Sequence, residues 1–188
     1  LATKISDGRV LALIEQFLKA GILDGLQAWT PEAGAPQGAV LSPLLSNIYL
    51  DPLDHLLSGR GFEMVRYADD FVILCRTPEE AQTALETVQQ WTATAGLTLH
   101  PTKTRVVDAT TEGFDFLGYR FVKHRRYPRR KSLDKFREAI RGKTRRTDGR
   151  SLLAIIADMN RTLRGWFEYF KHSRQSGFTS LDGWTRMR

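Results

Sequence analysis

Two adjacent aspartates, Asp69 and Asp70, stand in the run Arg66-Tyr67-Ala68-Asp69-Asp70-Phe71-Val72. Neighbouring carboxylates repel, so such a pair is mildly unfavourable on a surface that gives it nothing to bind. At the tip of a rigid hairpin the same pair makes a dense patch of hard oxygen ligands. Mg²⁺ takes such ligands, usually one or two carboxylates together with substrate phosphates. Two such ions serve in-line phosphoryl transfer by stabilising both the attacking and the leaving oxygen. A plain polar turn is the alternative. The β-prone apolar segments on both sides, and Tyr67-Ala68 before the pair, favour the metal reading.

A second run, Gly34-Ala35-Pro36-Gln37-Gly38-Ala39-Val40-Leu41-Ser42-Pro43, combines glycines with the start of a helix. Glycine lets backbone approach a ligand closely. Gln37 can donate and accept hydrogen bonds, and a helix N-terminus favours phosphate. By itself this run reads as an ordinary loop-to-helix turn.

A third feature is charge. Residues 1–100 carry 6 Lys/Arg against 12 Asp/Glu, and residues 101–188 carry 22 against 9. Residues 120–150 alone hold 14 Lys/Arg against Asp134, Glu138 and Asp148. A solvated helix face would mix the signs more evenly. Arginine forks suit phosphates, and Tyr127 and His124 could stack on unpaired bases. RNA or an RNA–DNA duplex is the natural partner, with Arg125, Arg126, Tyr127, Arg129, Arg130 and Lys131 at its centre.

The elements that must position these residues follow from spacing. Residues 6–20 read as an amphipathic helix with Val10, Leu11, Ile14, Phe17 and Leu18 on one face. Residues 24–41 read as a loop or short hairpin. Ser42 as N-cap and Pro43 in the first turn open a helix to about Gly59, which Pro52 should kink. Segments 62–67 and 71–76 form a β-hairpin with the aspartates at its tip. Thr77-Pro78-Glu79-Glu80 starts a helix that buries Ala81, Ala84, Leu85, Val88, Trp91 and Ala95. Leu97–Leu99, Thr104–Asp108 and a longer Phe114–Val122 read as strands, with Gly118 inside the last.

A boundary is expected near 123–131. Beyond it, Ser132 caps a helix with Leu133, Phe136 and Ile140. Ser151 caps another with Leu152, Ile155, Ile156, Met159, Leu163, Trp166, Phe167 and Phe170 as its buried stripe. A third contains Phe178, Leu181 and Trp184. The order is α+β rather than alternating βαβ.

Hydrophobic residues make up 41% of the 188, enough for a packed core, and no apolar run is long enough to span a membrane. One cysteine, Cys75, excludes an internal disulfide framework and fits a reducing, cytoplasmic compartment; it reads as a buried core thiol. The four histidines show no metal-ligand spacing. Leu1-Ala2-Thr3-Lys4 is neither a signal peptide nor an initiator start, and reads as a cut inside a longer protein.

Taken together, these motifs resemble the group II intron-encoded reverse transcriptases, or maturases. Gly34–Gly38 with Leu41–Leu50 resembles that family's Pro-Gln-Gly segment, and Tyr67-Ala68-Asp69-Asp70 its catalytic metal-binding box. Gly96-Leu97 to Lys103-Thr104 resembles its Gly-Leu…Lys-Thr element. Phe116-Leu117-Gly118-Tyr119 resembles its primer-grip strand, and Asn160–Phe170 the helix of its thumb, or maturase X, domain. The five elements occur in the family's order over about residues 34–184.

The resemblance implies a partial reverse-transcriptase palm over 1–122, an antiparallel sheet with packed helices. A basic connector and small helical thumb follow over 123–188. It implies RNA-directed DNA polymerisation with an intron-splicing role, using Mg²⁺, an RNA template or intron RNA, a DNA primer and dNTPs. Asp69 would be the main metal ligand, with Asp70 secondary. Lys103 would lie near the departing pyrophosphate. Pro36, Gln37, Gly38 and Tyr67 would line the nucleotide and template, and Leu117, Gly118 and Tyr119 would grip the primer.

Ala39 stands where the family has a second glycine. The family's first catalytic aspartate belongs to a strand upstream of the first helix, and Asp7, Glu15 and Asp24 do not match its context. The fingers are absent as well, so the chain by itself is expected to be inactive. A non-enzymatic RNA-binding maturase and a reverse transcriptase attached to a CRISPR system are the alternatives. The intact Asp69-Asp70 pair argues against the first, and Arg164–Phe170 favours the intron type over the second.

Overall fold

Helix and strand assignments come from a computed structural model, which describes residues 5–19, 22–24, 27–29 and 41–188. The amphipathic pattern near the start gives α1 (Gly8–Lys19), with Ile14 buried; Val10 and Phe17 of the expected inner face are instead 41% and 49% exposed. Strand β1 (Ile22–Asp24) pairs antiparallel with β2 (Gln27–Trp29), overlapping only the start of the expected loop or hairpin over 24–41, most of which lies outside the described residues.

Helix α2 (Ser42–Gly59) is continuous through Pro52. An interior proline costs about 3 kcal/mol. Leu50, Leu53 and Leu57 are buried on this helix, at roughly 2 kcal/mol each, and outweigh that cost. The N-cap residue is Leu41 rather than Ser42, which begins the helix with Pro43 behind it.

The strands β3 (Glu63–Tyr67) and β4 (Asp70–Leu74) form a five-pair antiparallel ladder from Glu63↔Leu74 to Tyr67↔Asp70. Such a hairpin is marginal alone. Phe62, Met64, Phe71 and Ile73 pack it against Leu50, Leu53, Leu57 and Val88, the last on α3 (Pro78–Thr94). Thr77 caps the start of α3, its Oγ1 accepting from the Glu80 amide at 3.1 Å, and Glu80 Oε2 reaches back past the cap to accept from the Arg76 amide at 2.7 Å. Cys75 follows β4 and is half-buried, and burial pushes its thiol pKa up.

The segments 97–99 and 104–108 are not strands. The Leu97 amide closes the end of α3 on the Thr92 carbonyl at 2.8 Å, and Leu99 docks into the first core. Apolar residues can thus be buried without any ladder.

The chain divides into two compact units, 1–104 and 105–188. The division falls earlier than the change of composition near 123. The cause is that the expected single strand 114–122 and most of the expected connector 123–131 form one small sheet, while Arg130 and Lys131 begin a helix. Strands β5 (Phe114–Phe116), β6 (Tyr119–Val122) and β7 (Arg125–Pro128) pair antiparallel in that order. Leu117 and Gly118, at φ 47° and 81°, turn the chain between β5 and β6, and Lys123 and His124, at 50° and 58°, turn it between β6 and β7. Positive φ at both central residues is the hairpin geometry that matches strand twist.

Gly113 is at φ 73°, and a Cβ there would lie 2.2 Å from the Phe121 carbonyl oxygen. Backbone strain and overlap together make Gly113→Ala destabilising by roughly 3 kcal/mol. Urea unfolding monitored in 105–188 checks this, and a variant as stable as the parent would remove the close approach as a determinant of the sheet.

Three helices complete the second unit: α4 (Arg130–Lys143), α5 (Leu152–Phe170) and α6 (Ser176–Arg186). Phe136, Ile140 and Leu181 form its core with Leu133, Met159, Leu163, Trp166 and Trp184. Ser151 caps α5, accepting from the Ala154 amide at 3.3 Å. Ser132 is not the α4 cap; Arg129 holds that place. Of the expected α5 stripe, Phe170 is buried, whereas Leu152, Ile156 and Phe167 are 71%, 44% and 50% exposed.

Candidate active site and nucleic-acid interface

The β3–β4 hairpin separates its side chains by the two-residue period of a strand. Met64 and Arg66 face inward with their partners Ile73 and Phe71, while Tyr67 and its partner Asp70 belong to the other face. Asp69 lies in the two-residue turn, and Asp70 opens β4, so the pair straddles the end of the ladder. Both are exposed, and Tyr67 is 67% exposed. Among the described residues neither carboxylate has an ion-pair or hydrogen-bond partner. Unpartnered, adjacent carboxylates at an exposed tip are a donor set suited to a hard divalent cation such as Mg²⁺.

The turn is not relaxed. Ala68 has φ 54°, a region that costs an L residue roughly 1–2 kcal/mol. Its carbonyl accepts from Arg66 Nη1 at 2.9 Å. The rest of that guanidinium is engaged on α2: Nε donates to Asp54 Oδ1 at 2.8 Å, Nη2 to Asp54 Oδ2, and Nη1 to Asn47 Oδ1 at 2.8 Å. The hydrogen bond to Asp54 raises the Arg66 pKa further above its ordinary value, so the charge is permanent. Sequence reading misses Asp54 and Asn47 as parts of this site. The available signal was a charge at an inward strand position, which demands a partner.

Lys103 is exposed on the turn 101–103. Pro36, Gln37 and Gly38 lie outside the described residues.

In the second unit, Leu117 and Gly118 occupy a turn rather than a strand interior, and Tyr119 begins β6. The Gly118 carbonyl accepts from Ser132 Oγ at 3.0 Å and from the Arg129 amide at 2.9 Å. The Leu117 carbonyl accepts from the Tyr169 hydroxyl at 2.7 Å, and Tyr119 donates its hydroxyl to the Tyr169 carbonyl. The turn is thereby bolted to the start of α4 and the end of α5.

The basic residues divide into two groups. Asp158 accepts from Lys143 at 2.7 Å, Arg150 at 3.1 Å and Arg161 at 3.2 Å, which holds its carboxyl well below the usual carboxylate range. Arg120 pairs with Asp115 at 3.1 Å and Arg137 with Asp134 at 3.7 Å. These charges are spent within the fold. Arg125, Arg129, Arg130 and Lys131 have no ion pair among the described residues. Arg126 donates Nε to the His172 carbonyl at 2.6 Å, so it also ties β7 to the end of α5. Hydrogen bonds from Arg174 and then Arg125 lower the Tyr127 phenol pKa, and the ring is half-buried. The first turn of α4 carries no acid, and Arg130 and Lys131 stand there beside the helix amides, a combination that favours phosphate.

Residues 3–121 match the family described as reverse transcriptase (RNA-dependent DNA polymerase). The chain belongs to the reverse transcriptase family. Residues 133–188 match the maturase-specific domain of group II introns, so the chain carries sequence of the group II intron reverse transcriptase/maturase type. Group II intron-encoded protein LtrA of Lactococcus lactis subsp. cremoris is 53% identical over 51 residues, 27% of this chain and 8% of LtrA. Protein YkfC of Escherichia coli K12 is 29% identical over 163 residues, covering 65% of this chain and 41% of YkfC. An uncharacterized 91 kDa protein in the cob intron of Schizosaccharomyces pombe is 24% identical over 177 residues, 63% of this chain and 22% of that protein. The chain spans less than half the length of each relative. The described residues form a mixed α+β structure with small antiparallel sheets, and among them no helix is long and apolar enough to cross a membrane.

Proposed function

We propose that this chain is the palm and thumb portion of a longer RNA-directed DNA polymerase that also assists intron splicing. The observation that carries the reading is the unpartnered Asp69-Asp70 pair at a strained hairpin tip, within residues matched to reverse transcriptases. Asp69 and Asp70 hold Mg²⁺ in this reading, with Asp69 the main ligand. The chemistry such ions supply is activation of the primer 3′ hydroxyl and neutralisation of charge on the departing pyrophosphate. Tyr67, on the same face as Asp70, packs beside the primer end and incoming nucleotide, together with Pro36, Gln37 and Gly38. Lys103 offers a proton or a positive charge to the pyrophosphate. Leu117, Gly118 and Tyr119 grip the primer, for which a turn held by four hydrogen bonds is suitably rigid. Arg125, Arg126, Tyr127, Arg129, Arg130 and Lys131 contact intron or template RNA.

Primer extension on a primed RNA template, with Mg²⁺ and dNTPs, tests the assignment. The full-length protein extends the primer. The 188-residue chain alone does not, because it contributes at most two of the three carboxylates that the family's site uses. Robust extension by the isolated chain would overturn the requirement for a third carboxylate.

A further inference from the structure

Arg66 has more hydrogen bonds to the catalytic hairpin and its supporting helix than strand pairing needs. Its side chain is only 11% exposed, and its donors reach Asp54, Asn47 and the Ala68 carbonyl together. We propose that Arg66 is a positioning residue: anchored to Asp54 and Asn47 of α2, it holds the Ala68 carbonyl and so sets the direction of the Asp69 carboxylate. The inference rests on the reading of Asp69 as a metal ligand.

Two physical points carry it. The Ala68 carbonyl belongs to the peptide plane that leads into Asp69. A left-handed residue persists where its surroundings over-determine it, and the Arg66 hydrogen bond to that plane does so here. Fixing the plane fixes the start of the Asp69 side chain. The second point is charge. Arg66 lies three residues from Asp69 and is permanently cationic, so a free guanidinium would compete with a metal for those carboxylates. The two-point pairing with Asp54, reinforced by the nearby Asp51 carboxylate, keeps it turned to α2. Lysine cannot reproduce this arrangement. Its ammonium is a compact point charge, whereas the planar fork of arginine engages a carboxylate in two places and still has donors for two further oxygens.

The test uses the full-length protein and its Arg66→Lys, Asn47→Ala and Asp69→Asn variants. Hydrogen–deuterium exchange without metal is followed in peptides covering 66–72 and in peptides from α3. In Arg66→Lys, exchange across 66–72 should rise about tenfold while α3 stays at the parental rate. Primer extension by the same variant should lose about 100-fold in kcat, the scale expected for misplacement of a reacting group by about 1 Å. Its Mg²⁺ midpoint should move up severalfold, and its affinity for the primed template should be unchanged. Asn47→Ala leaves the Asp54 pairing in place and removes one anchor, so it should show a smaller change of the same kind. If Arg66→Lys exchanges faster everywhere, with kcat per folded molecule and Mg²⁺ midpoint at parental values, Arg66 supports the fold alone and the proposal is wrong. Parental local exchange in both variants overturns it equally. A parental rate in Asp69→Asn would instead overturn the metal-ligand reading, independently of what Arg66 does.

Discussion

Asp69→Asn in the full-length protein should reduce templated DNA synthesis by roughly 1,000-fold or more, about 4 kcal/mol of transition-state stabilisation. Asparagine keeps the size of the side chain and suits a turn, so the hairpin should persist. What is lost is the negative charge that a divalent cation needs. Asp69 is exposed and outside the hydrophobic core, so the melting temperature should stay within a degree or two of the parent. RNA affinity should change less than twofold, because the unpaired basic residues belong to the second unit. Asp70→Asn should cost less than Asp69→Asn, in keeping with the secondary role proposed for it. The measurements are steady-state primer extension and filter binding on the same preparations. Extension by Asp69→Asn near the parental rate would strike Asp69 from the catalytic residues.

RNA binding by the second unit should depend steeply on salt. If about five phosphates are engaged, log K falls against log salt with a slope near −4, a loss of about 250-fold over a fourfold rise in salt. Replacing Arg125, Arg126, Arg129 and Arg130 together by alanine should flatten the slope by up to about three, so the same rise costs only about fourfold. Unrelated RNAs should be weakened by similar factors, since phosphate contacts carry little sequence information. Arg126 also ties β7 to the His172 carbonyl. A triple variant that spares it separates lost phosphate contacts from a loosened strand and should flatten the slope by about two. Parental affinity and slope in the fourfold variant would mean that this surface only keeps the protein soluble.

Some of this site needed nothing beyond neighbouring residues. β-prone apolar segments on either side of Ala68-Asp69-Asp70 make a hairpin with the aspartates at its tip, and the observed ladder closes one residue tighter, with Asp70 opening β4. Thr77 and Ser151 announce helices because each cap bonds an amide three residues ahead. The basic half was plain from composition. What it did not disclose is that Lys143, Arg150, Arg120 and Arg137 are spent on internal carboxylates while Arg125, Arg129, Arg130 and Lys131 are not. Ion pairs join residues by position in space, and composition counts them alike.

The sequence by itself determined which residues are available for chemistry: two carboxylates at a hairpin tip, a basic second half, and the order of motifs that resembles a reverse transcriptase. These depend on residue type and short spacing, which local sterics and the strand and helix periods translate directly. The tertiary structure decided the rest. Phe114–Val122 reads as one strand by its apolar content, yet Leu117 and Gly118 both adopt positive φ and reverse the chain. Ser132 and Tyr169, distant in sequence, then hold that turn through its carbonyls. Arg66 sits on an inward position that periodicity reserves for an apolar side chain, and it is stable there because α2 brings Asp54 and Asn47 to it. A buried charge or a left-handed turn is acceptable only when partners from elsewhere in the chain satisfy it, and only folding brings those partners together.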